Sequence, residues 1–359
     1  MVEAHRPAPD AARHPQERRA FLYVPLLALL VTVVAELFNH KTFTEGPESL
    51  WRFVSEEPLA FLTNVLIVLV TLSPCFLLRR RAFWCALVSF VWLVCGGVNG
   101  FILLNRMTPF TVADLTVFQT GLDTVPNYLS TGYIVLLISA LVLVAAGLAL
   151  LFWKGPRSSR PLRTRLLTGA AAMAVSSLLM GGCCALAFAV GDLSHQFANL
   201  AFAYEDYGFS YCFLQTWLNR GIRRPAGYSQ AAVERIVRTV EENTSGLGAE
   251  PLTDVNVIFV QLESYIDPGL IRGLELSEDP VPNWTALRES CSSGYLTVPV
   301  VGAGTANTEF EVLTGMNTRF FGPGEYPYQT QLTEKTAESV AYDLKANGYA
   351  AHAIHNHRA

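Results

Sequence analysis

The sequence predicts five membrane-spanning helices in a bundle, followed by part of an extracytoplasmic α/β domain whose sheet is mostly parallel. Three observations predict it. Charged residues make up only 16% of the 359 positions, against about 25% in ordinary soluble domains, and the deficit falls in the first half. Five apolar runs in that half are each long enough, at roughly 18–25 residues, to cross a hydrocarbon core of about 30 Å. Beyond residue 254, apolar runs alternate with helical periodicities, the pattern of strands and helices sharing one sheet. The net charge of −4 comes without a basic stripe, which excludes nucleic acid as a partner.

Residues 1–20 form a polar arm with Arg6, Arg13, Arg18 and Arg19. No small-residue cleavage signature follows the first apolar run, so that run reads as an uncleaved span. Residues 21–190 carry the spans, expected at Phe21–Phe38, Leu59–Leu78, Ala82–Leu104, Thr131–Trp153 and Leu166–Val190. Pro74 falls late enough in the second to disturb its last turn only.

The basic residues set the orientation. Arg79-Arg80-Arg81 lies between spans two and three. Lys154, Arg157, Arg160, Arg163 and Arg165 lie between spans four and five, while Asn39–Pro58 and Asn105–Ser130 are poor in Lys and Arg. Short basic loops stay in the cytoplasm. The amino terminus is therefore expected inside, and everything after Gly191 outside, across the plasma membrane.

Gly96, Gly97 and Gly100 in span three suit close helix packing. Asn99 beside them is a polar group at membrane depth, open to an interhelical hydrogen bond or a functional role. Asn105–Ser130 reads as a short amphipathic helix at the outer interface, with Arg106 and Asp114 as a possible pair. Residues 191–253 read as a helical tether. Its aromatic stretch Phe197–Leu218 suits either headgroup level or packing on the soluble domain, and Ser229 suits a helix cap. Among seven cysteines, five sit in apolar runs as small hydrophobes, and Cys212 and Cys291 are the pair that an oxidising compartment would allow to bond.

Residues 254–359 hold the chemistry. Val255–Leu262 is a near-continuous apolar run, as in a strand covered on both faces, and ends on Glu263-Ser264. A helix is expected at Asn283–Glu289, a strand at Gly294–Val300, helices at Thr305–Met316 and Thr333–Asn347, and a strand at Tyr349–His355. Ligands of such sheets bind beyond the carboxyl ends of the strands, where Glu263, Thr305 and His355 fall. Phosphoryl transfer needs its negative charge neutralised. A hard dication on oxygen ligands does this and activates a bound hydroxyl, and a helix amino terminus adds N–H donors. Thr305 behind Gly302 and Gly304 supplies the hydroxyl, and Glu263 the carboxylate. The bland alternatives are a helix cap for Thr305, a solvated strand end for Glu263, and for His355 and His357 an exposed strand end rather than a metal or phosphate contact.

The stretches Asn256-Val257-Ile258-Phe259-Val260-Gln261-Leu262-Glu263-Ser264 and Gly304-Thr305-Ala306-Asn307-Thr308-Glu309-Phe310, with Asn99, Arg106, Pro109 and Asp114-Leu115 in the membrane region, resemble the lipoteichoic acid synthase family of polyglycerolphosphate transferases, within the alkaline phosphatase/sulfatase superfamily. The resemblance implies manganese or magnesium held by Glu263 and Thr305, and Thr305 as nucleophile. It implies a phosphatidylglycerol-like lipid as phosphoglycerol donor and a cell-envelope glycolipid or polymer as acceptor. Substrate contact by His355 is a weaker expectation. Cys291-Ser292-Ser293-Gly294 departs from the Cys/Ser-x-Pro-x-Arg pattern of sulfatases proper. The family's later Asp-His metal pair has no counterpart before Ala359. The chain is therefore expected to be cut within its catalytic domain and inactive alone. The competing readings are a phosphoethanolamine transferase and a catalytically dead membrane module.

Overall fold

The computed structural model describes residues 14–105, 108–115, 125, 128–195, 197, 199–219, 221–222, 224–244, 255–262, 265–299, 305–333 and 335–354. They fall into two compact units, divided near residue 220.

The first unit is helical. Its five long elements are α1 (His14–Asn39), α4 (Pro58–Leu72, continued as a 3₁₀ turn over Ser73–Leu77), α5 (Arg81–Asn105), α6 (Thr131–Lys154) and α7 (Leu162–Val190). Two short helices, α2 (Thr42–Glu45) and α3 (Glu48–Glu56), link α1 to α4. Five stretches, Phe21–Asn39, Pro58–Leu77, Arg81–Asn105, Thr131–Lys154 and Leu162–Val190, are long and apolar enough to cross a membrane. They match the expected spans to within four residues at each end, and they make this a multi-pass membrane protein. Pro74 acts as expected: the α-helix stops at Leu72 and the span finishes in 3₁₀ form.

Val24, Ala28, Val31 and Ala35 are all buried, alternating four and three residues apart. This spacing puts one stripe of α1 against its neighbours. Small residues let α5 close on that stripe. A Cβ on Gly96 would sit 3.1 Å from Ala35, and one on Gly100 would sit 2.9 Å from Phe38. No side chain of α6 is buried, so its apolar surface suits lipid.

The aromatic stretch joins this unit. Its helices α8 (Leu200–Tyr207) and α9 (Phe209–Leu218) bury Tyr204, Phe209 and Tyr211 among residues of α1 and α4. The rings therefore fill the helical core, which neither sequence reading had placed them in. Asn199 caps α8, accepting from the N–H groups of Ala201 and Phe202. Gly208, at φ 82°, turns the chain between the two helices and has no side chain to cap α9. The bundle supplies that cap. Glu36 Oε1 accepts from the Phe209 N–H at 2.8 Å, and Asn64 Oδ1 accepts from the Tyr211 N–H at 2.8 Å. Two orphan donors of the helix start are thereby satisfied from outside.

Asn99 is fully buried and interhelical: its amide donates to Asn39 Oδ1 at 3.0 Å, and its oxygen accepts from the Phe110 N–H at 2.9 Å. In the loop after α5, Val112–Leu115 forms a 3₁₀ turn, where Asp114 accepts from the N–H and hydroxyl of Thr111. Arg106 and residues 116–124 lie outside the described residues. The considered Cys212–Cys291 bond is not formed. Both are free thiols, Cys212 buried in this unit and donating to the Ala203 carbonyl, Cys291 exposed in the other.

The second unit holds α10 (Gln230–Thr244), α11 (Pro282–Ser290), α12 (Thr305–Thr314) and α13 (Val340–Ala346). Ser229 caps α10 through the Ala232 N–H, as its sequence suggested. The expected sheet is not seen among the described residues. Val255–Leu262, 294–299 and 349–354 carry no strand. Their apolar side chains lie open, with Ile258 80% and Tyr295 89% exposed. The physical reason is that an all-apolar strand exists only in a ladder with cover on both faces, and these segments have neither here. The helix expected over Thr333–Asn347 is confined to Val340–Ala346, because Ser339 is in extended conformation and sets a later start. Gly348, at φ 89°, follows soon after its end.

Candidate functional site

Thr305 is the first residue of α12 and is partly buried. The side-chain amide of Gln261 donates to the Thr305 carbonyl at 3.5 Å. This long contact brings the end of the 255–262 run to the start of α12, so the two segments chosen from sequence do meet. Glu263 lies two residues beyond Gln261 but outside the described residues, as do Gly302, Gly304 and His355.

Helical spacing puts Thr308 and Val312 on the same face as Thr305. Along that face runs a cleft of about 160 Å³, walled by Leu296–Pro299 on one side and Thr308, Glu311 and Val312 on the other, with Gly315–Asn317 at its end. Sequence reasoning missed this cleft. The signal for it was the i, i+3, i+4 series Thr308, Glu311 and Val312.

The opposite face anchors the helix. Phe310 is fully buried, with Phe321 and Tyr328 edge-on to it at 5.5 and 5.7 Å. The Tyr328 hydroxyl donates to Glu309 Oε1 at 3.4 Å. Burial, then the charge of Glu309, push the Tyr328 phenol up to about 12. Glu311 Oε1 accepts from the Thr318 N–H at 2.6 Å and its hydroxyl at 2.7 Å, tying the chain after α12 back to the helix. Both glutamates of α12 are thus engaged in holding it in place.

Thr305 and Glu263 offer hard oxygen donors, the chemistry that magnesium or manganese takes. In kind this donor set suits such an ion; the Gln261 contact brings the 255–262 run to α12, and Glu263 itself lies outside the described residues. The set is only part of an octahedral shell. Among the described residues no group of three His, Cys, Asp or Glu side chains stands ready to hold a metal.

Comparison with known proteins covers this part of the chain. Residues 255–359 match the protein-family model described as Sulfatase. A relative from Rhizobium meliloti (strain 1021), described as a putative cyclic beta-1,2-glucan modification protein, is 33% identical over 153 residues. That match covers 42% of this chain and 22% of the relative, so the chain spans well under half of the relative's length. No solved structure matches. Behind five helices fit to cross a membrane, residues 255–359 therefore carry a sulfatase-family segment of the alkaline phosphatase/sulfatase superfamily.

Proposed function

We propose that this chain belongs to a membrane-bound transferase that moves glycerol phosphate from a phosphatidylglycerol-like lipid to a cell-envelope glycan or glycolipid. Thr305 is its nucleophile. The observation that carries this reading is the position of Thr305, a hydroxyl on the first residue of a helix, within a segment of sulfatase-family sequence. The departure of Cys291-Ser292-Ser293-Gly294 from the sulfatase pattern argues for transfer rather than sulfate-ester hydrolysis. The relative's description, modification of a cyclic beta-1,2-glucan, favours a glucan as the acceptor.

In this reading the Thr305 oxygen attacks the donor's phosphorus. The bond from phosphorus to the diacylglycerol oxygen breaks, diacylglycerol leaves with the proton, and glycerophosphoryl-Thr305 remains. An acceptor hydroxyl then attacks the same phosphorus and restores the Thr305 hydroxyl. Splitting one displacement into two is covalent catalysis. The N–H groups at the start of α12 lie where phosphoryl oxygens need donors. A manganese or magnesium ion held by Glu263 and Thr305 would supply charge neutralisation when bound. The cleft past Thr308, part apolar and part hydroxyl-lined, suits the group joined to the phosphate. The Arg-rich ends of the bundle face the cytoplasm by the basic-loop rule, which puts Thr305 on the outer side, where envelope acceptors are.

The test is transfer of labelled glycerol phosphate from phosphatidylglycerol to β-glucan by the complete protein in vesicles. Thr305→Ala is expected to abolish it, and Thr305→Ser to retain part. Undiminished transfer by Thr305→Ala would overturn the assignment. Transfer from phosphatidylethanolamine instead would favour the phosphoethanolamine reading.

A further inference from the structure

At one end of the bundle, the turn between α4 and α5 meets the turn between α6 and α7. The Ser158 N–H donates to the Arg79 carbonyl at 2.8 Å, and Arg165 Nη1 reaches the Leu77 carbonyl at 3.4 Å. Arg81 stacks over Phe76, and Arg80 lies over Phe152 at 3.9 Å. Three guanidiniums thus gather around one turn. Arg81 is 7% and Arg165 6% exposed. Yet Arg81 Nε, Arg165 Nε and Arg80 Nη1 are buried without any hydrogen-bond acceptor.

Buried charged donors left unmatched are costly, and the two turns themselves supply no counter-charge. Residues 77–82 and 152–166 contain no Asp or Glu. The helix dipoles add to the imbalance. Arg81 opens α5 and Arg165 lies in the first turn of α7. Those are amino termini, where a positive side chain is unfavourable and an anion is favoured. Desolvation and the neighbouring positive charge of Arg157 lower the Arg80 guanidinium's pKa from its ordinary value, a second sign that positive charge there is uncompensated. Two helix starts and three under-satisfied guanidiniums therefore ask for one kind of partner, an oxyanion with several acceptor oxygens. Arginine forks match the oxygens of a phosphate group. The place also selects the source. The site lies where the apolar helices end, the level at which a lipid leaflet carries its phosphates.

We propose that Arg80, Arg81 and Arg165 form a binding site for the phosphate of an anionic membrane lipid, at the opposite end of the bundle from the α8–α9 hairpin. The site is independent of the chemistry at Thr305. It takes its lipid as a bound structural partner, and no bond is made or broken.

The experiment uses the full chain, stripped of lipid in detergent. It is titrated with phosphatidylglycerol, with phosphatidylcholine and with inorganic phosphate, and bound lipid is read by native mass spectrometry. Phosphatidylglycerol is expected to bind well above phosphatidylcholine, and inorganic phosphate to leave it in place. A contact to a charged group corresponds to roughly 10-fold or more in affinity. Arg81→Gln with Arg165→Gln should therefore weaken binding at least about 10-fold, while Arg79→Gln, an exposed charge in the same turn, should change it little. Should the double variant fail to fold, Arg165→Lys serves: it keeps the charge, loses the fork, and should still weaken binding. Equal binding of the two lipids, equal effects of the Arg79 and Arg165 substitutions, or full displacement by inorganic phosphate would each overturn the proposal.

Discussion

Glu36 shows how one side chain in an apolar helix can hold a neighbouring element. It is fully buried, accepts from Asn39 Nδ2 at 3.0 Å and from the Phe209 N–H, and lies 3.6 Å from His40 Nε2. Replacing it by Ala leaves the start of α9 with an unmet donor, at a cost of about 1–3 kcal/mol. Glu36→Ala is expected to lower the thermal midpoint in detergent clearly, and Glu36→Gln, which keeps an acceptor for Phe209, to lower it less. Equal midpoints would count against this clamp. On the sulfatase-family segment, Tyr328 makes the matching case for α12. Its phenol is raised from 10.0 to about 12, so the neutral form is favoured in the fold. Its contribution to stability is fully present below pH 10 and is lost as pH rises through about 12. An ultraviolet titration of the native protein should show one fewer late-ionising tyrosine in Tyr328→Phe than in the parent chain. At this scale the sequence was legible for the helix start at Thr305 and blind to Gln261, Glu36 and Tyr328, whose partners lie far along the chain and follow no local period.

Among the elements, the closeness of α1 and α5 rests on missing side chains. A Cβ at Gly100 would come 2.9 Å from Phe38, whereas one at Gly97 would meet nothing within 4 Å. Gly100→Ala is expected to destabilise by about 1–3 kcal/mol and Gly97→Ala to be near neutral, compared by thermal unfolding in the same detergent. The five long helices were legible because a membrane span needs length and apolarity alone. The α8–α9 hairpin was not, since its aromatic residues are equally suited to an interface or a core, and only the partners Glu36 and Asn64 decide between them. The expected strands are not seen among the described residues. Val255–Leu262 has the composition of a buried strand, but strand formation depends on neighbours that composition does not name.

For the molecule as a whole, the placing of the sulfatase-family segment outside the cytoplasm is open to direct test. Cys291 is exposed in that segment. A membrane-impermeant maleimide should label it in intact cells, and Cys291→Ser should remove the signal. Labelling only after permeabilisation would invert the topology. The central claim, that Thr305 carries the transferred group, has its most direct test in the intact mass of the complete protein mixed with phosphatidylglycerol in the absence of acceptor. An added glycerophosphoryl group is expected, mapped to Thr305 and missing in Thr305→Ala. An unmodified Thr305 in a preparation that still releases diacylglycerol would contradict it.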